Sequence, residues 1–114
     1  MGGDKTGMYY SVSAQLIECM ILAIVAKADS YGYEISRSIK QVADIKESTL
    51  YPILKRLVNS SFLTTYEEEI QGRRRKYYHL TEEGQGQLAM LRSEWKTYRS
   101  VLDAIIVEGK TYDE

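Results

Sequence analysis

The sequence predicts a mainly α-helical fold with one small β-hairpin, completed by a long C-terminal helix. Apolar residues recur at helical spacing in four separate stretches. After the third stretch, two short segments rich in Thr and Tyr flank a Gly-containing loop, which is the pattern of a hairpin. The 114 residues include a single proline and no low-complexity tract, so we expect one folded unit without flexible linkers.

Charge is distributed unevenly along the chain, although its formal net charge is only −1. Residues 30–80 carry nine basic and six acidic side chains, whereas residues 81–114 carry four and seven. Because electrostatic fields are screened within about 8 Å at physiological salt, a basic central region can attract a polyanion even when the whole chain is acidic. The composition is therefore compatible with nucleic-acid binding by the central region.

Cysteine content and hydropathy exclude several classes of protein. The lone cysteine, Cys19, cannot form an internal disulfide or a thiolate zinc site, and it points to a reducing compartment. The longest apolar run, residues 20–26, is about a third of the roughly 20 residues that a membrane span requires. We expect a cytoplasmic protein that uses no metal, cofactor or membrane.

The first helix is predicted from an apolar face that follows two candidate capping serines. Ser11 or Ser13 can accept a hydrogen bond from the free backbone amides of the first turn. Cys19 widens the apolar face, and we interpret it as a packing residue. Residues 1–10 are polar and rich in glycine, so we expect a mobile arm there. The face itself consists of Leu16, Ile17, Met20, Ile21, Ile24 and Val25.

A second helix is predicted to begin with Ser30 as its cap. Gly32, near its first turn, either permits a close packing contact or lets a backbone amide approach a phosphate, and we favour packing. Only about four residues, 43–46, separate this helix from the next one. Two short helices joined by so tight a turn form a helix-turn-helix, whose second helix is free to enter a major groove. The buried face of the second helix is predicted to contain Ile35, Ile39 and Val42.

The third helix is centred on residues 48–57, where apolar and polar residues repeat on opposite faces. The polar face carries Lys55 and Arg56, which are donors that phosphate oxygens and guanine edges accept. A helix with one face to bury and one to present is suited to reading DNA. The apolar stripe consists of Leu50, Ile53, Leu54 and Leu57.

The sequence leaves two alternatives for the residue that begins the third helix and two for the residue that closes it. If Thr49 is the cap, Pro52 lies in the first turn, where its missing N–H costs nothing. If the helix begins near Glu47, Pro52 removes one internal hydrogen bond and bends the helix. At the other end, Asn59 or Ser61 is expected to adopt the left-handed conformation that closes the helix.

Two strands are predicted over residues 62–68 and 75–80, joined by a loop at residues 69–74. Four consecutive cations lie at the tip of the loop and on the second strand, and three glutamates at residues 67–69 oppose their charge. A helix-turn-helix followed by a basic hairpin is the arrangement of a winged helix, in which the hairpin, or wing, lies along the DNA backbone or minor groove. The cations are Arg73, Arg74, Arg75 and Lys76.

A long last helix is predicted from its cap, Thr81, to near Gly109, which stops it. Its apolar residues alternate at spacings of 3 and 4, which is the seam of a coiled coil. At some 27 residues it would be roughly 40 Å long, more than the preceding helices can cover. We therefore predict a winged-helix domain over residues 11–80 and a dimerisation helix over residues 81–109 that pairs with a second copy. The seam consists of Leu88, Leu91, Trp95, Tyr98, Leu102 and Ile105.

Four motifs taken together resemble those of the PadR-like winged-helix transcriptional regulators. They are Tyr-Gly-Tyr-Glu-Ile at residues 31–35, Thr-Leu-Tyr-Pro-Ile-Leu-Lys-Arg-Leu at residues 49–57, Gly-Arg-Arg-Arg-Lys-Tyr-Tyr at residues 72–78 and Leu-Thr-Glu-Glu-Gly at residues 80–84. They occur in the family's order and spacing, and the resemblance spans residues 13 to about 107. The chain is similar to the short branch with a single C-terminal dimerisation helix. It departs from the family at Ser61, where members usually have glycine.

The resemblance implies a homodimeric bacterial or archaeal repressor that binds an inverted repeat in double-stranded DNA and is often released by a small aromatic or lipophilic compound. In a multidrug-sensing branch of the family, a tryptophan on the last helix stacks on flat ligands, and Trp95 has a similar place. An indole ring suits planar cations. The family's DNA-contacting positions fall here on Ser48, Thr49, Tyr51 and Lys55 in the third helix and on Gly72, Arg73, Arg74, Arg75 and Lys76 in the wing.

Two other classes of function compete with DNA binding. A winged helix can be an interaction module that binds protein instead, and such a module would show no salt-dependent duplex binding. The run of four cations argues against it. An enzyme is the weakest alternative, because His79 is the only histidine and the spacing places no acid or nucleophile near it. We interpret His79 as a strand residue and expect no enzymatic activity.

Overall fold

The structure is a computed structural model of the chain, and it describes residues 12–111. The expected N-terminal arm and the alternative cap Ser11 lie outside the described residues. The order of elements is α1 (Ala14–Lys27), β1 (Ser30–Tyr31), α2 (Gly32–Ile39), α3 (Glu47–Asn59), β2 (Leu63–Ile70), β3 (Arg73–Leu80) and α4 (Glu82–Ile106). The predicted winged helix-turn-helix is confirmed. The strand β1 extends the hairpin to a three-stranded antiparallel sheet of order β1-β3-β2.

The helix α1 is capped by Ser13 and runs through the core. The Ser13 hydroxyl oxygen accepts a hydrogen bond of 3.1 Å from the amide of Leu16, which decides between the two candidate caps. Ile21 and Leu22 have no exposed surface. Cys19 packs half-buried against the same core, and burial raises the pKa of its thiol. The interpretation of Cys19 as a packing residue is confirmed.

The prediction that Ser30 caps α2 is wrong, because this residue belongs to β1. Ser30 pairs with Tyr78 of β3, and its hydroxyl donates to the carbonyl oxygen of Ala28 at 3.0 Å. The residue at the cap position of α2 is Tyr31, which makes no side-chain capping bond. A serine before an apolar run predicts a cap from local sequence, but here the backbone is recruited by a distant strand.

The prediction that Val42 is buried is also wrong. The helix α2 ends at Ile39, so Val42 lies beyond it and is 53% exposed. Ala43 and Ile45, in the turn between the two helices, are buried in its place. The apolar surface of this region is therefore completed by the turn and not by a longer helix.

The helix α3 begins at Glu47, so Pro52 lies inside it. Proline has no N–H, so the carbonyl of Ser48 lacks the backbone donor that would come from four residues on. The helix is held in place by its apolar stripe, and all four predicted stripe residues are at most 6% exposed. These are Leu50, Ile53, Leu54 and Leu57.

Ser61 closes α3 in the left-handed conformation, with φ of 67°. The amide of Phe62 donates to the carbonyl oxygen of Leu57 at 3.0 Å, and the amide of Ser61 donates to that of Val58 at 2.9 Å. These two bonds form a Schellman motif, which usually has glycine at the position of Ser61.

Ser61→Gly should raise the free energy of unfolding by about 1 kcal/mol. A side chain in the left-handed region costs roughly 1–2 kcal/mol, and glycine removes this cost while it adds some entropy to the unfolded chain. Urea unfolding measures the change. The matched control is Ser60→Gly. Ser60 has a φ of −86°, which suits any residue, so glycine relieves no strain there and should destabilise the protein. Equal shifts in the two variants would show that the backbone conformation of Ser61 is not strained.

The hairpin loop is shorter than predicted. Only Gln71 and Gly72 connect β2 to β3, with φ of 54° and 79°, which is the backbone of a two-residue type I′ turn. The predicted six-residue loop is therefore wrong, and Arg73 and Arg74 belong to β3. In a regular strand the successive cations point to alternate faces of the sheet.

The helix α4 starts at its predicted cap, Thr81. The Thr81 hydroxyl oxygen accepts from the amide of Gly84 at 2.9 Å, and the hydroxyl donates to the carbonyl oxygen of Ser61 at 2.6 Å. The cap therefore also joins α4 to the end of α3. The helix ends at Ile106, three residues before Gly109, which has the expected positive φ of 74°.

The first half of the predicted seam packs inside the chain. Leu88 and Leu91 are 2% and 4% exposed and belong to the same core cluster as α1. They already have intramolecular neighbours, so they are not available to a second copy. The outer part of the seam starts at Trp95, which is half-buried.

Candidate nucleic-acid interface

The helix α3 presents a line of exposed polar side chains opposite its buried stripe. Ser48 and Lys55 are exposed and lie seven residues apart, so they share one side of the helix. Thr49 is exposed beside Ser48. Hydroxyl and ammonium groups along one side of a helix can bond phosphate oxygens and base edges in a groove. All three side chains are free to meet a ligand, and their contact with DNA stays a prediction.

Tyr51 is held at the edge of this face by contact with α2. A Cβ atom at Gly32 would lie 2.7 Å from the Tyr51 hydroxyl oxygen and 2.9 Å from a ring carbon. Any larger residue would have to displace the Tyr51 ring, so the favoured interpretation of Gly32 as a packing residue is confirmed. Tyr51 is 42% exposed, and its hydroxyl end is therefore placed by packing against the first helix of the helix-turn-helix.

Arg56 forms an ion pair within the chain. Its guanidinium Nη1 lies 3.1 Å from the Oε1 atom of Glu18 on α1. The carboxylate side chain is 9% exposed and the arginine side chain 52% exposed. The structure thus gives Arg56 an intramolecular partner that the sequence did not predict, and its phosphate contact stays a prediction.

The register of the wing divides its four cations between two faces. In an antiparallel pair, residues directly opposite each other project to the same face. Lys76 opposes Glu67, and Arg74 opposes Glu69, on the face that continues into the buried residues Tyr78 and Leu80. This is the side of the sheet covered by the helices. The remaining cations, Arg73 and Arg75, project from the other face.

Contacts of the two faces confirm the division. The Lys76 Nζ atom lies 5.8 Å from the centroid of the Tyr78 ring, on the helix side. Burial raises the pKa of Tyr78, and nearby Tyr51 of α3 raises it further. On the outer face, the Arg75 guanidinium lies over the Tyr31 ring at 4.4 Å. Lys76 therefore lies on the face that carries Tyr78, the neighbour of Tyr51, whereas Arg75 is engaged on the outer face.

Glutamates on β2 offset part of the wing's positive charge. Glu67, Glu68 and Glu69 oppose Lys76, Arg75 and Arg74 respectively. The Arg74 Nη1 atom also forms a diagonal ion pair with the Oε1 atom of Glu67 at 2.8 Å. Both side chains are largely exposed, so this pair contributes little stability and can be exchanged for a phosphate at small cost.

His79 has an acidic partner that the spacing did not predict. The Oδ1 atom of Asp29, which precedes β1, lies 2.9 Å from the Nδ1 atom of His79. The Oδ2 atom of Asp29 accepts a bond of 2.7 Å from the hydroxyl of Tyr66 on β2. This bond raises the pKa of Tyr66 to about 12. The cluster ties the end of α1 to both wing strands, and the expectation that no acid lies near His79 is wrong.

Asp29→Asn should reduce the loss of stability in acid. Burial alone would raise the pKa of Asp29, but hydrogen bonds from His79 and Tyr66 lower it below its ordinary value of 3.8. The unfolded chain then takes up a proton before the native state does, so this contribution is present above pH 4 and is lost as pH falls through the native pKa. Thermal unfolding at pH 7 and pH 3 tests it. The control is Asp44→Asn, which removes an exposed carboxylate outside the cluster. If Asp29→Asn lost as much stability in acid as the wild type does, the hydrogen bonds to Asp29 would not be the source of the acid dependence.

The outer half of α4 and the residue after it expose several large apolar side chains. Trp95 is half-buried, with its ring centroid 6.3 Å from that of Tyr98. Beyond it, large apolar side chains are between 42% and 76% exposed. These are Tyr98, Val101, Ile105, Ile106 and Val107. Over residues 12–111, no helix is long and apolar enough to cross a membrane, and no three candidate ligands cluster as a metal site.

A helix-turn-helix with an exposed polar second helix and a cationic hairpin beside it defines a winged-helix DNA-binding protein. Residues 21–90 match the model of the Transcriptional regulator PadR-like family. Because this match covers more than half of the chain, the protein belongs to that family, whose members are transcription regulators and not enzymes.

Known structures and relatives agree with this assignment. A crystal structure of a Streptococcus mutans protein is 59% identical, with a TM-score of 0.88, and the match covers 94% of this chain and 100% of that one. A PadR family transcription regulator from Clostridium difficile is 34% identical, with a TM-score of 0.73, over 79% of this chain and 97% of that one. A Lysinibacillus sphaericus protein is 34% identical over 82% of this chain and 89% of its own length. The chain is a DNA-binding transcriptional regulator.

Proposed function

We propose that the protein is a homodimeric repressor that binds an inverted-repeat operator in double-stranded DNA. The observation that carries this proposal is the exposed apolar surface on the outer half of α4. A row of large apolar side chains at helical spacing is costly in water and is typical of a surface that pairs with another chain. A second copy supplies the same row, and a two-fold dimer then carries two α3 helices for two half-sites.

In this proposal the contacts with DNA are divided between α3 and the wing. Ser48, Thr49, Tyr51 and Lys55 of α3 read bases and fix register, while Gly72 and the wing cations contact phosphates. Among the cations, Arg74 and Lys76 lie on the side of α3, and Arg73 adjoins the loop. Arg75 contributes less, because it is engaged with Tyr31. Residues 11–80 thus form the DNA-binding unit, residues 81–109 the dimerisation helix, and the regulator acts in the cytoplasm, where the chromosome is accessible.

The selection of bound sequences from a random duplex pool at physiological salt tests this proposal. A two-fold symmetric motif is the expected result, because two identical α3 helices read two identical half-sites. A single asymmetric half-site would contradict the dimer, and the absence of any salt-dependent binding would contradict DNA binding itself. Repression follows if the motif overlaps a promoter and transcription falls when the protein is added.

An effector site at Trp95 is a second part of the proposal. Trp95 lies half-buried next to Tyr98, where two aromatic rings from each copy would meet across a two-fold axis. Flat cationic compounds stack favourably on such rings. Titration of planar cationic dyes should quench Trp95 fluorescence at micromolar concentration and release the DNA. Unchanged emission across a dye panel would count against an effector of this class.

Glu67→Gln should strengthen DNA binding by about two- to fivefold, because it removes a negative charge and releases Arg74 on the side of the wing next to α3. Fluorescence anisotropy with a labelled duplex measures the affinity. The matched control is Glu68→Gln, which makes the same change of charge on the outer face, opposite Arg75. A larger gain in the control than in Glu67→Gln would mean that the outer face meets the DNA.

A further inference from the structure

Glu18 is the only charged side chain among the buried residues of the described chain, residues 12–111. It lies on α1 and is 7% exposed. Its two carboxylate oxygens bond different elements. The Oε1 atom accepts from Arg56 Nη1 of α3 at 3.1 Å, and the Oε2 atom accepts from Gln87 Nε2 of α4 at 3.4 Å. One carboxylate therefore joins the helix that reads DNA to the helix that carries the exposed apolar surface.

A buried carboxylate at this position is costly for stability. Removing its charge from water is unfavourable, and a single ion pair with a half-exposed arginine rarely offsets the full cost. An apolar residue of similar volume would be buried at this position at lower cost. The carboxylate instead constrains the geometry, because its two oxygens bond two donors that must lie at fixed positions. Arg56 also directly follows Lys55, so an anchor on Arg56 limits rotation of α3 about its own axis.

We propose that Glu18 is a positioning residue for DNA reading, which fixes the rotation of α3 relative to α4. The proposal rests on the DNA-reading role of α3 given above. Arg56 acts in it as the internal anchor of α3 and not as a phosphate contact. A change in the position of α4 moves Gln87, which turns the Glu18 carboxylate and with it Arg56. The same residue thus provides a route by which events on the outer half of α4 reach the reading face.

The test is Glu18→Gln in the full chain, together with Arg56→Gln and the double variant. Glutamine keeps the shape of the side chain but removes its negative charge and replaces one of the two acceptor oxygens with an NH2 donor, so the two-oxygen acceptor is lost. The affinity ratio between a duplex selected by the wild-type protein and a scrambled duplex should fall about three- to tenfold in each single variant. The double variant should be no worse than either single one, because both changes remove the same interaction. The slope of affinity against salt should not change, since no phosphate contact is lost.

Asp103→Asn is the matched control, because it makes the same carboxylate-to-amide change at an exposed position of α4. It should leave the affinity ratio unchanged. Two results would overturn the proposal. A flatter salt slope in Arg56→Gln, with tighter binding in Glu18→Gln, would mean that Arg56 binds phosphate. An unchanged affinity ratio with a lower melting temperature would mean that Glu18 only affects stability.

Amide hydrogen exchange distinguishes a failure of this proposal from a failure of the proposed function, because it needs no DNA. Glu18→Gln should raise exchange rates both in residues 53–59 of α3 and in residues 84–90 of α4, and Asp103→Asn should raise neither. Changes confined to α1 would overturn the positioning role even if the protein binds DNA. If the wild-type protein binds no duplex but the paired changes occur, the link between the helices stands and the DNA-reading function falls.

Discussion

Gly84→Ala is expected to lower the free energy of unfolding by about 2–3 kcal/mol, although alanine is the better helix former. A Cβ atom at Gly84 would collide with the backbone carbonyl oxygen of Phe62 and would lie 2.6 Å from the Leu80 Cδ1 atom. The Phe62 carbonyl cannot move freely, because it accepts a bond of 3.1 Å from the amide of Thr81. The α-carbon of Gly84 is thus the contact surface between α4 and the end of α3.

Gly86→Ala is the matched control for this prediction. Gly86 lies on the same helix, two residues further on, and a Cβ atom there has nothing within 4 Å. This variant should raise the free energy of unfolding by about 1 kcal/mol, because alanine replaces glycine in a helix interior. Thermal or urea unfolding of both variants shows whether their changes in the free energy of unfolding have opposite signs. If Gly84→Ala were as stable as Gly86→Ala, the close approach of α4 to the α3–β2 turn would be wrong.

The double substitution Tyr98→Glu and Ile105→Glu is expected to give a monomer that binds the operator about a hundredfold more weakly. The two side chains are 59% and 45% exposed in the single chain, so the change should leave its fold intact. In the proposed dimer they meet their counterparts, and four buried carboxylates would repel each other and oppose desolvation. A monomer loses the second half-site, whose effective concentration in the dimer multiplies affinity by a factor of about 100 or more.

Sedimentation and anisotropy titration test this second prediction. The matched control is Ser93→Glu with Ser100→Glu, which adds the same two charges with the same spacing of seven residues on the roughly opposite side of α4. The control should remain dimeric and bind the operator with little loss. A dimer in both variants would mean that another surface joins the copies, and a monomeric wild-type protein would remove the basis of the inverted-repeat operator.

Much of the candidate nucleic-acid interface could be predicted from the sequence, because the patterns that indicate it lie within short segments of the chain. The buried stripe of α3 repeats every three or four residues, and all four stripe residues are buried as expected. Capping by Thr81 and closure at Ser61 depend on hydrogen bonds within a few residues, and both were among the predicted positions. Periodicity, caps and motifs therefore identified the winged helix and its family, and they place the candidate reading helix at α3.

Errors occurred where a residue's neighbours lie far away in the chain. Ser30 was assigned to a helix cap but pairs with Tyr78, and His79 was thought to lack an acid but bonds Asp29, 50 residues earlier. The ion pair of Arg56 was likewise missed, because its partner Glu18 lies 38 residues away. No local pattern contains these partners.

The sequence by itself determined the order of helices and strands, the exposed donors of α3 and the cationic character of the wing, because each follows from spacing within one element. Only the tertiary structure decided which neighbours these groups have. It divided the wing cations between two faces through the strand register, and it buried Leu88 and Leu91 in the chain's own core. It also brought the Glu18 carboxylate between α3 and α4. The physical reason is that burial and hydrogen bonding are settled by which elements pack against each other, and these elements are distant in sequence.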